Sequence, residues 1–227
     1  MKINLTGSKA IVLFLAALFC ISSCSKKNEV SGSTQTSGYV TFINASPSLV
    51  TQDFFVDNIK VNSQALAYTQ STGYLEIKAA GHQLQVKSSA NSTLNNTSTF
   101  SVTAPFYYSI FYAEDKSVLE LEDERTPPKT GQCRVRFINL SSIIGTVDIG
   151  TVGIGIAKGI KFLNGLEYRT YTKYYDFNAG TAFTLYTGGS NVILKDILVT
   201  LEAGHFYTIY LTGTSSSGVK AQLLTLD

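Results

Sequence analysis

Few side chains in this 227-residue chain are suited to covalent or metal chemistry. There are two histidines, His82 and His205, and three cysteines, Cys20, Cys24 and Cys133. A zinc site needs three or four ligands, and these residues sit in unrelated stretches, so no metal ligand is expected. A serine hydrolase of the α/β type would carry Gly-x-Ser-x-Gly, which is absent; Gly188-Gly189-Ser190-Asn191 reads as a hairpin turn. Gly150-Thr151-Val152-Gly153-Ile154-Gly155 lacks the Lys-Ser/Thr and the helix of a phosphate loop, and no Asp-rich calcium loop occurs. Two carboxylates for glycoside hydrolysis could be drawn from 16 acidic residues, but no spacing singles out a pair. The expectation is no catalytic residue, no metal and no cofactor. The one thiol in a distinctive setting is Cys24. It follows the small pair Ser22-Ser23, at the end of the apolar run Ile11–Ile21, with Lys2 and Lys9 upstream.

That setting is similar to the lipobox of bacterial lipoproteins, carried by Ile21-Ser22-Ser23-Cys24. The resemblance implies cleavage before Cys24 and diacylation of its thiol. The apolar run fits a secretory signal and is too short for a membrane span of about 20 residues. Two or more acyl chains give stable anchoring where one does not. Residues 1–23 are therefore expected to be a signal peptide and 24–38 a lipidated tether, polar and too poor in apolar residues to repay its ordering. As a flexible coil the tether reaches about 20 Å. Its composition is similar to that of lipoproteins of the Bacteroidetes group, which implies an outer-membrane address, at the cell surface or the periplasmic face.

Loss of Lys2 and Lys9 leaves 16 basic against 16 acidic side chains. A neutral chain gives no concentrated basic surface for nucleic acid. Cys133, left without a partner once Cys24 is acylated, lies in the strand-like run Cys133–Ile138 and reads as a small buried residue. The chain has 13 Tyr and 13 Phe and no Trp, a composition suited to β-structure. Tyr68, Tyr74, Tyr168, Tyr171, Tyr174 and Tyr175 could stack on a sugar, but packing across strands is the simpler reading.

The organisation is a duplication. Val40-Thr41-Phe42-Ile43-Asn44-Ala45-Ser46 parallels Val135-Arg136-Phe137-Ile138-Asn139-Leu140-Ser141 at a spacing that also pairs Asp53 with Asp148. Further on, Ala80-Gly81 pairs with Ala179-Gly180, and Ala104–Ile110 with Ala203–Ile209, after a net insertion assigned to the Gly150–Gly155 stretch. A unit this long is a duplicated domain. Leu84-Gln85-Val86 and Phe183-Thr184-Leu185 alternate; Tyr108–Tyr112 and Tyr207–Leu211 are almost continuously apolar, as central strands are. Gly, Asn and Ser clusters separate these runs, the signature of a sandwich or barrel. Pro127-Pro128 forbids a central strand between the copies, and Glu120, Glu122, Asp123 and Glu124 read as solvent-facing charges guarding an edge.

The segments Arg134–Ser141 and Val147-Asp148, the Tyr-rich strand and the Ala-Gly turn resemble those of the family known as domain of unknown function 4397, found in bacterial secreted and surface lipoproteins. The resemblance covers both units, with Asp53 and Asp57 matching its acidic strand; the second copy lacks the Pro that follows Ser46 in the first. It implies a β-sandwich and an extracytoplasmic location, with no activity and no site residues. The expected architecture is all-β: two tandem antiparallel β-sandwich domains (Ig-like or transthyretin-like), 39–124 and 132–227, joined by a linker over 125–131. The expected role is non-enzymatic binding, adhesion or envelope organisation. Its partners are the membrane through the lipid and an envelope protein, a surface protein or a glycan. A pilin-like structural subunit and an accessory carbohydrate-binding module are the alternatives. No ligand-binding residue is assigned.

Overall fold

The computed structural model describes residues 36–153, 159–213 and 218–226. Sixteen strands build four sheets: β1 (Ser37–Asn44), β2 (Gln52–Val56), β3 (Ile59–Lys60), β4 (Leu75–Lys78), β5 (Gly81–Ser88), β6 (Leu94–Ser101), β7 (Tyr107–Tyr112), β8 (Val118–Asp123), β9 (Gln132–Asn139), β10 (Val147–Thr151), β11 (Lys161–Leu166), β12 (Tyr175–Asn178), β13 (Phe183–Thr187), β14 (Ile193–Ile197), β15 (Phe206–Thr212) and β16 (Lys220–Thr225). The first half pairs a sheet of order β4-β1-β7-β8 with one of order β3-β2-β5-β6. The second half repeats this as β12-β9-β15-β16 and β11-β10-β13-β14. The expected all-β sandwich is thus what forms, with one difference. β1 runs parallel to β7, and β9 to β15, so one sheet of each half is mixed rather than purely antiparallel.

Each half has its own core. Val40, Phe42, Leu84, Val86 and Ile110 are fully buried in the first, as are Val135, Phe137, Phe183, Leu185 and Ile209 in the second. These are the alternate residues of their strands, as a two-residue period demands. The intervening residues of β1, β7, β9 and β15 are buried as well, except near the starts of the strands, where Tyr39, Tyr107 and Arg134 are half-buried. Ile43, Ala45 and Phe111 of the first half and Ile138, Leu140 and Tyr210 of the second form a third apolar cluster between the two inner sheets. This explains the nearly continuous apolar sequence of those strands, since a strand buried on both faces loses its alternation. The inner sheets lie with their strand ends aligned. Ser142, just beyond β9, donates to Glu114, just beyond β7, while at the opposite end Arg125, after β8, donates to the Leu226 carbonyl after β16.

The duplication extends to individual bonds. Asn44 and Asn139 are completely buried. Each donates from Nδ2 to a leucine carbonyl, Leu66 or Leu166, and each accepts a backbone N–H, from Ser46 or Ser141, on Oδ1. Thr72 Oγ1 accepts from Phe42 N, and Thr172 Oγ1 from Phe137 N. Asp53 pairs with Lys60 and Asp148 with Lys161, which fixes the second strand of each sandwich to its neighbour. The extra residues of the second copy fall between β10 and β11, in the Gly-rich stretch. One detail shifts: Ala79 N bonds Thr36 O as Ala179 N bonds Gly131 O. The turn alanine equivalent to Ala179 is therefore Ala79, and the second copy drops one residue just after it.

Candidate functional site

The inner face of β9 places Arg136 against the first half, where its side chain is only 2% exposed. A guanidinium cannot sit there alone, because burying an unpaired charge is costly. Its Nη2 meets Asp123 Oδ1 of β8, Nε donates to Thr208 Oγ1 (2.8 Å) and Nη1 to the Glu122 carbonyl (3.1 Å). Asp123 Oδ2 accepts from Tyr74 Oη and from Ser109 Oγ, both at 2.7 Å. Asp123 is therefore not one of the solvent-facing charges read from the acidic run. The second sandwich covers that face of β8, and only Glu122 and Glu124 of the run are exposed. Burial and the neighbouring Asp123 charge push the Tyr74 phenol far above its ordinary range; burial pushes Tyr174, whose ring lies 5.1 Å from the Arg136 guanidinium, up to about 12.

Beside this buried network lies a groove of about 700 Å³, lined by Tyr39, Phe106, Tyr107, Glu122, Glu124 and Arg125 among others. Parallel pairing of β1 with β7 sets Tyr39 directly beside Tyr107, and their rings stack at 4.6 Å and 22°. Tyr74 meets Tyr107 edge-on at 5.0 Å. The Arg125 guanidinium sits 4.7 Å from the Tyr107 ring centroid and 5.3 Å from Phe206 of the second half, a cation–π arrangement anchored by its bond to Leu226 O (2.7 Å). Phe106 is 46% exposed. Glu124 is held by Arg134, which also bonds Asp176. The groove thus combines flat apolar ring surface with the Glu122 carboxylate and with Glu124 and Arg125, whose orientations are set by Arg134 and the Leu226 carbonyl. Such a surface can bind a ligand with one apolar face and hydroxyls at its edges. The sequence reading named Glu122 and Glu124 only as edge charges and gave none of these residues a binding role; the signal available was Arg125 beside the linker prolines and Phe106-Tyr107 after Pro105.

The residues singled out earlier are dispersed. Ile21, Ser22, Ser23 and Cys24 lie outside the described residues. Cys133 is fully buried, and burial pushes its thiol upward. His82 contacts Asp57 through Nδ1 (2.7 Å) and the Lys78 carbonyl through Nε2 (2.8 Å). Desolvation pulls its pKa down, but these two partners outweigh it and the net shift is upward; the hydrogen bond from His82 lowers that of Asp57. His205 stands 3.9 Å from Glu202, in the other half. Among the described residues no three His, Cys, Asp or Glu side chains come together to hold a metal ion, and no helix is long and apolar enough to cross a membrane. The tyrosines serve mainly in packing. Tyr68 Oη bonds Thr212 Oγ1 (2.5 Å) across the junction, Tyr175 packs on Phe162, and Tyr171 alone of the six is largely exposed.

The sequence matches no curated protein. Solved structures that overlap the chain include a family CBM26 module from Eubacterium rectale Amy13K in complex with maltoheptaose (10% identity, 84% of this chain and 97% of that chain, TM-score 0.27). An α-glucan-binding streptococcal virulence factor (12%, 82% and 97%, TM-score 0.26) and a family 41 carbohydrate-binding module from streptococcal virulence factors (15%, 80% and 96%, TM-score 0.27) also overlap it. Scores at this level carry no functional argument. Residues 38–150, from the start of β1 into β10, match the model of the family described as domain of unknown function (DUF4397), which supports the family resemblance carried by the Val-x-Phe-Ile-Asn-x-Ser segments.

Proposed function

We propose that this protein is a lipid-anchored, extracytoplasmic binding module without catalytic activity, and that it holds a saccharide in the groove at the junction of its two sandwiches. The observation that carries this reading is the groove itself. Phe106 and the Tyr39–Tyr107 stack offer apolar ring edge and face to one side of a sugar, and Glu122 and Arg125 offer planar, charge-assisted hydrogen bonding to its hydroxyls. Lipid anchorage rests on Ile21-Ser22-Ser23-Cys24. The pilin-like alternative is less well supported, because β1 is hydrogen-bonded to β4 on one side and β7 on the other. Releasing it would break both ladders at the centre of a sheet.

The test is affinity electrophoresis of the full chain in detergent through gels containing single polysaccharides, with reducing-sugar release measured alongside. Retardation by at least one glycan, abolished in Phe106→Ala/Glu122→Gln, is the expected result. Retardation by none, or sugar release that scales with enzyme concentration, overturns the reading. Protease shaving of intact cells, with Cys24→Ala as control, separately tests anchorage and exposure.

A further inference from the structure

Strand direction sorts the loops of both halves onto two ends of the molecule, since the ends of the two inner sheets are aligned. The end where β1 begins gathers one set. Ala79 N, at the turn into β5, donates to the Thr36 carbonyl before β1, and Val102 N, after β6, donates to the Ala80 carbonyl. In the second half Ala179 N donates to the Gly131 carbonyl before β9, and Gly180 N to the Leu201 carbonyl after β14. This end therefore holds the β2–β3 turn, the start of β11 and the segment after β14. Ile59, Ile160 and Leu198 occupy those three places, 70%, 73% and 78% exposed. The backbone beneath each is tied down. Ile59 pairs with Val56 across a turn in which Asp57 bonds His82 and Gln83 N; Ile160 O accepts from Thr151 N; Leu198 follows Ile197, which pairs with Phe183. Three aliphatic side chains are thus held out on fixed turns, at one end, without serving either core.

The chain arrives from Cys24 at this same end. Thr36 is pinned beside Ala79 and follows Cys24 by twelve residues, a span of at most about 43 Å even if fully extended. The eight residues of β1 set the opposite end about 25 Å further away. That opposite end also exposes apolar residues, Leu49, Ile143 and Ile193 among them, but a chain starting at the lipid reaches it only by doubling back along the molecule. The tether therefore decides between the two ends. We infer that the end carrying Ile59, Ile160 and Leu198 docks on the bilayer that holds the Cys24 acyl chains, with these side chains seated at the headgroup–acyl boundary. The inference rests on the lipid anchorage proposed above. Once the protein is anchored, docking is intramolecular, so a few side chains suffice where they would not recruit a free protein. With basic and acidic residues balanced in the processed chain, the contact requires no anionic lipid. The junction groove lies at the same end, which sets it against the headgroup layer.

The chain contains no tryptophan, so a single introduced one reports its own depth. The lipidated full chain is purified in detergent and reconstituted into phosphatidylcholine vesicles with brominated or ordinary acyl chains. Five variants are compared: Ile59→Trp, Ile160→Trp and Leu198→Trp at the docking end, and Leu49→Trp and Ile193→Trp at the other. Intact mass and vesicle flotation report the acyl chains and attachment. At the first three positions bromine quenches emission at least about twofold, because a side chain seated at this boundary lies about 5–10 Å deep; at the other two it leaves emission unchanged. Equal quenching at both ends, or quenching at Leu49→Trp and Ile193→Trp alone, overturns the inference. Acylated protein that floats with the vesicles but is quenched nowhere overturns the docking and leaves the anchorage standing. Protein that carries no acyl mass and does not float overturns both.

Discussion

Replacing Asp123 by leucine isolates what the buried ion pair does. With Asp123 gone, the Arg136 guanidinium keeps Thr208 Oγ1 and the Glu122 carbonyl but faces no negative charge in a site where its side chain is 2% exposed. Breaking one member of a buried pair costs about 3–5 kcal/mol, and each kcal/mol moves the midpoint of a domain this large by about 2–4 °C. A drop of roughly 10 °C is therefore expected. The molecule also contains its own rescue. The position equivalent to Arg136 in the first half is Thr41, and that equivalent to Asp123 in the second is Leu226; both are buried at the same junction without any ion pair. The double variant Arg136→Thr/Asp123→Leu thus removes both charges as on the other side and should recover much of the loss, lying within about 2–3 kcal/mol of native: apolar replacement of a buried pair is often neutral, while Tyr74 Oη and Ser109 Oγ still lose their acceptor. Urea unfolding of the four species of this cycle, followed by far-UV circular dichroism, provides the measurement. If Asp123→Leu costs less than about 1 kcal/mol, or if the double variant loses as much as the sum of the singles, the pair is not the charge-compensated junction described here.

The remaining predictions concern single sites. His82 is raised in the folded state, so its contribution is fully present below the unfolded imidazole value and is lost as pH rises through the higher folded value; melts from pH 6 to 9 should show a fall that His82→Gln removes. Asp57 acts in the opposite direction, its contribution lost as pH drops through its lowered value, and Asp57→Asn should flatten the acid limb of the same melts. Asn139→Ala leaves the Leu166 and Gly145 carbonyls and Ser141 N without their buried partner and should destabilise by about 2–3 kcal/mol in urea titration. In a chain with Cys20 and Cys24 changed to alanine, the Cys133 thiol should resist a disulfide reagent in buffer and react at once in denaturant, a contrast that would be absent if the thiol were accessible.

Much of the fold could be read from residue order, because the local rules and the global structure agree. The Val-x-Phe-Ile-Asn-x-Ser segments announced two equivalent strands, and the paired roles of Asn44 and Asn139 give the physical reason the motif is repeated. The unbroken apolar runs of β7 and β15 correctly signalled central strands. What they could not signal was that a second sandwich supplies the other buried face, since a run of apolar residues does not say what covers it. Asp123 was misread for the same reason: among Glu120, Glu122 and Glu124 its charge pattern is that of an edge, and only the approach of Arg136 from another half distinguishes it. The junction groove draws on three separate segments, around Tyr39, around Phe106 and from Glu122 to Pro127, and no spacing along the chain links them.

The shared inner layer has a bearing on how such a unit can be inherited. Strands β1, β7, β9 and β15 carry apolar side chains on both faces, so one sandwich cut away from the other would present Ile43 and Phe111, or Ile138 and Tyr210, to water. A patch of that kind promotes association, and the natural substitute for the missing half is another copy of the half that remains. Cleavage within Thr126-Pro127-Pro128-Lys129 would accordingly leave two fragments that stay together. The piece that can be transplanted between proteins, tagged or shortened without harm is the pair, and engineering at the linker alters connectivity while leaving the partnership in place.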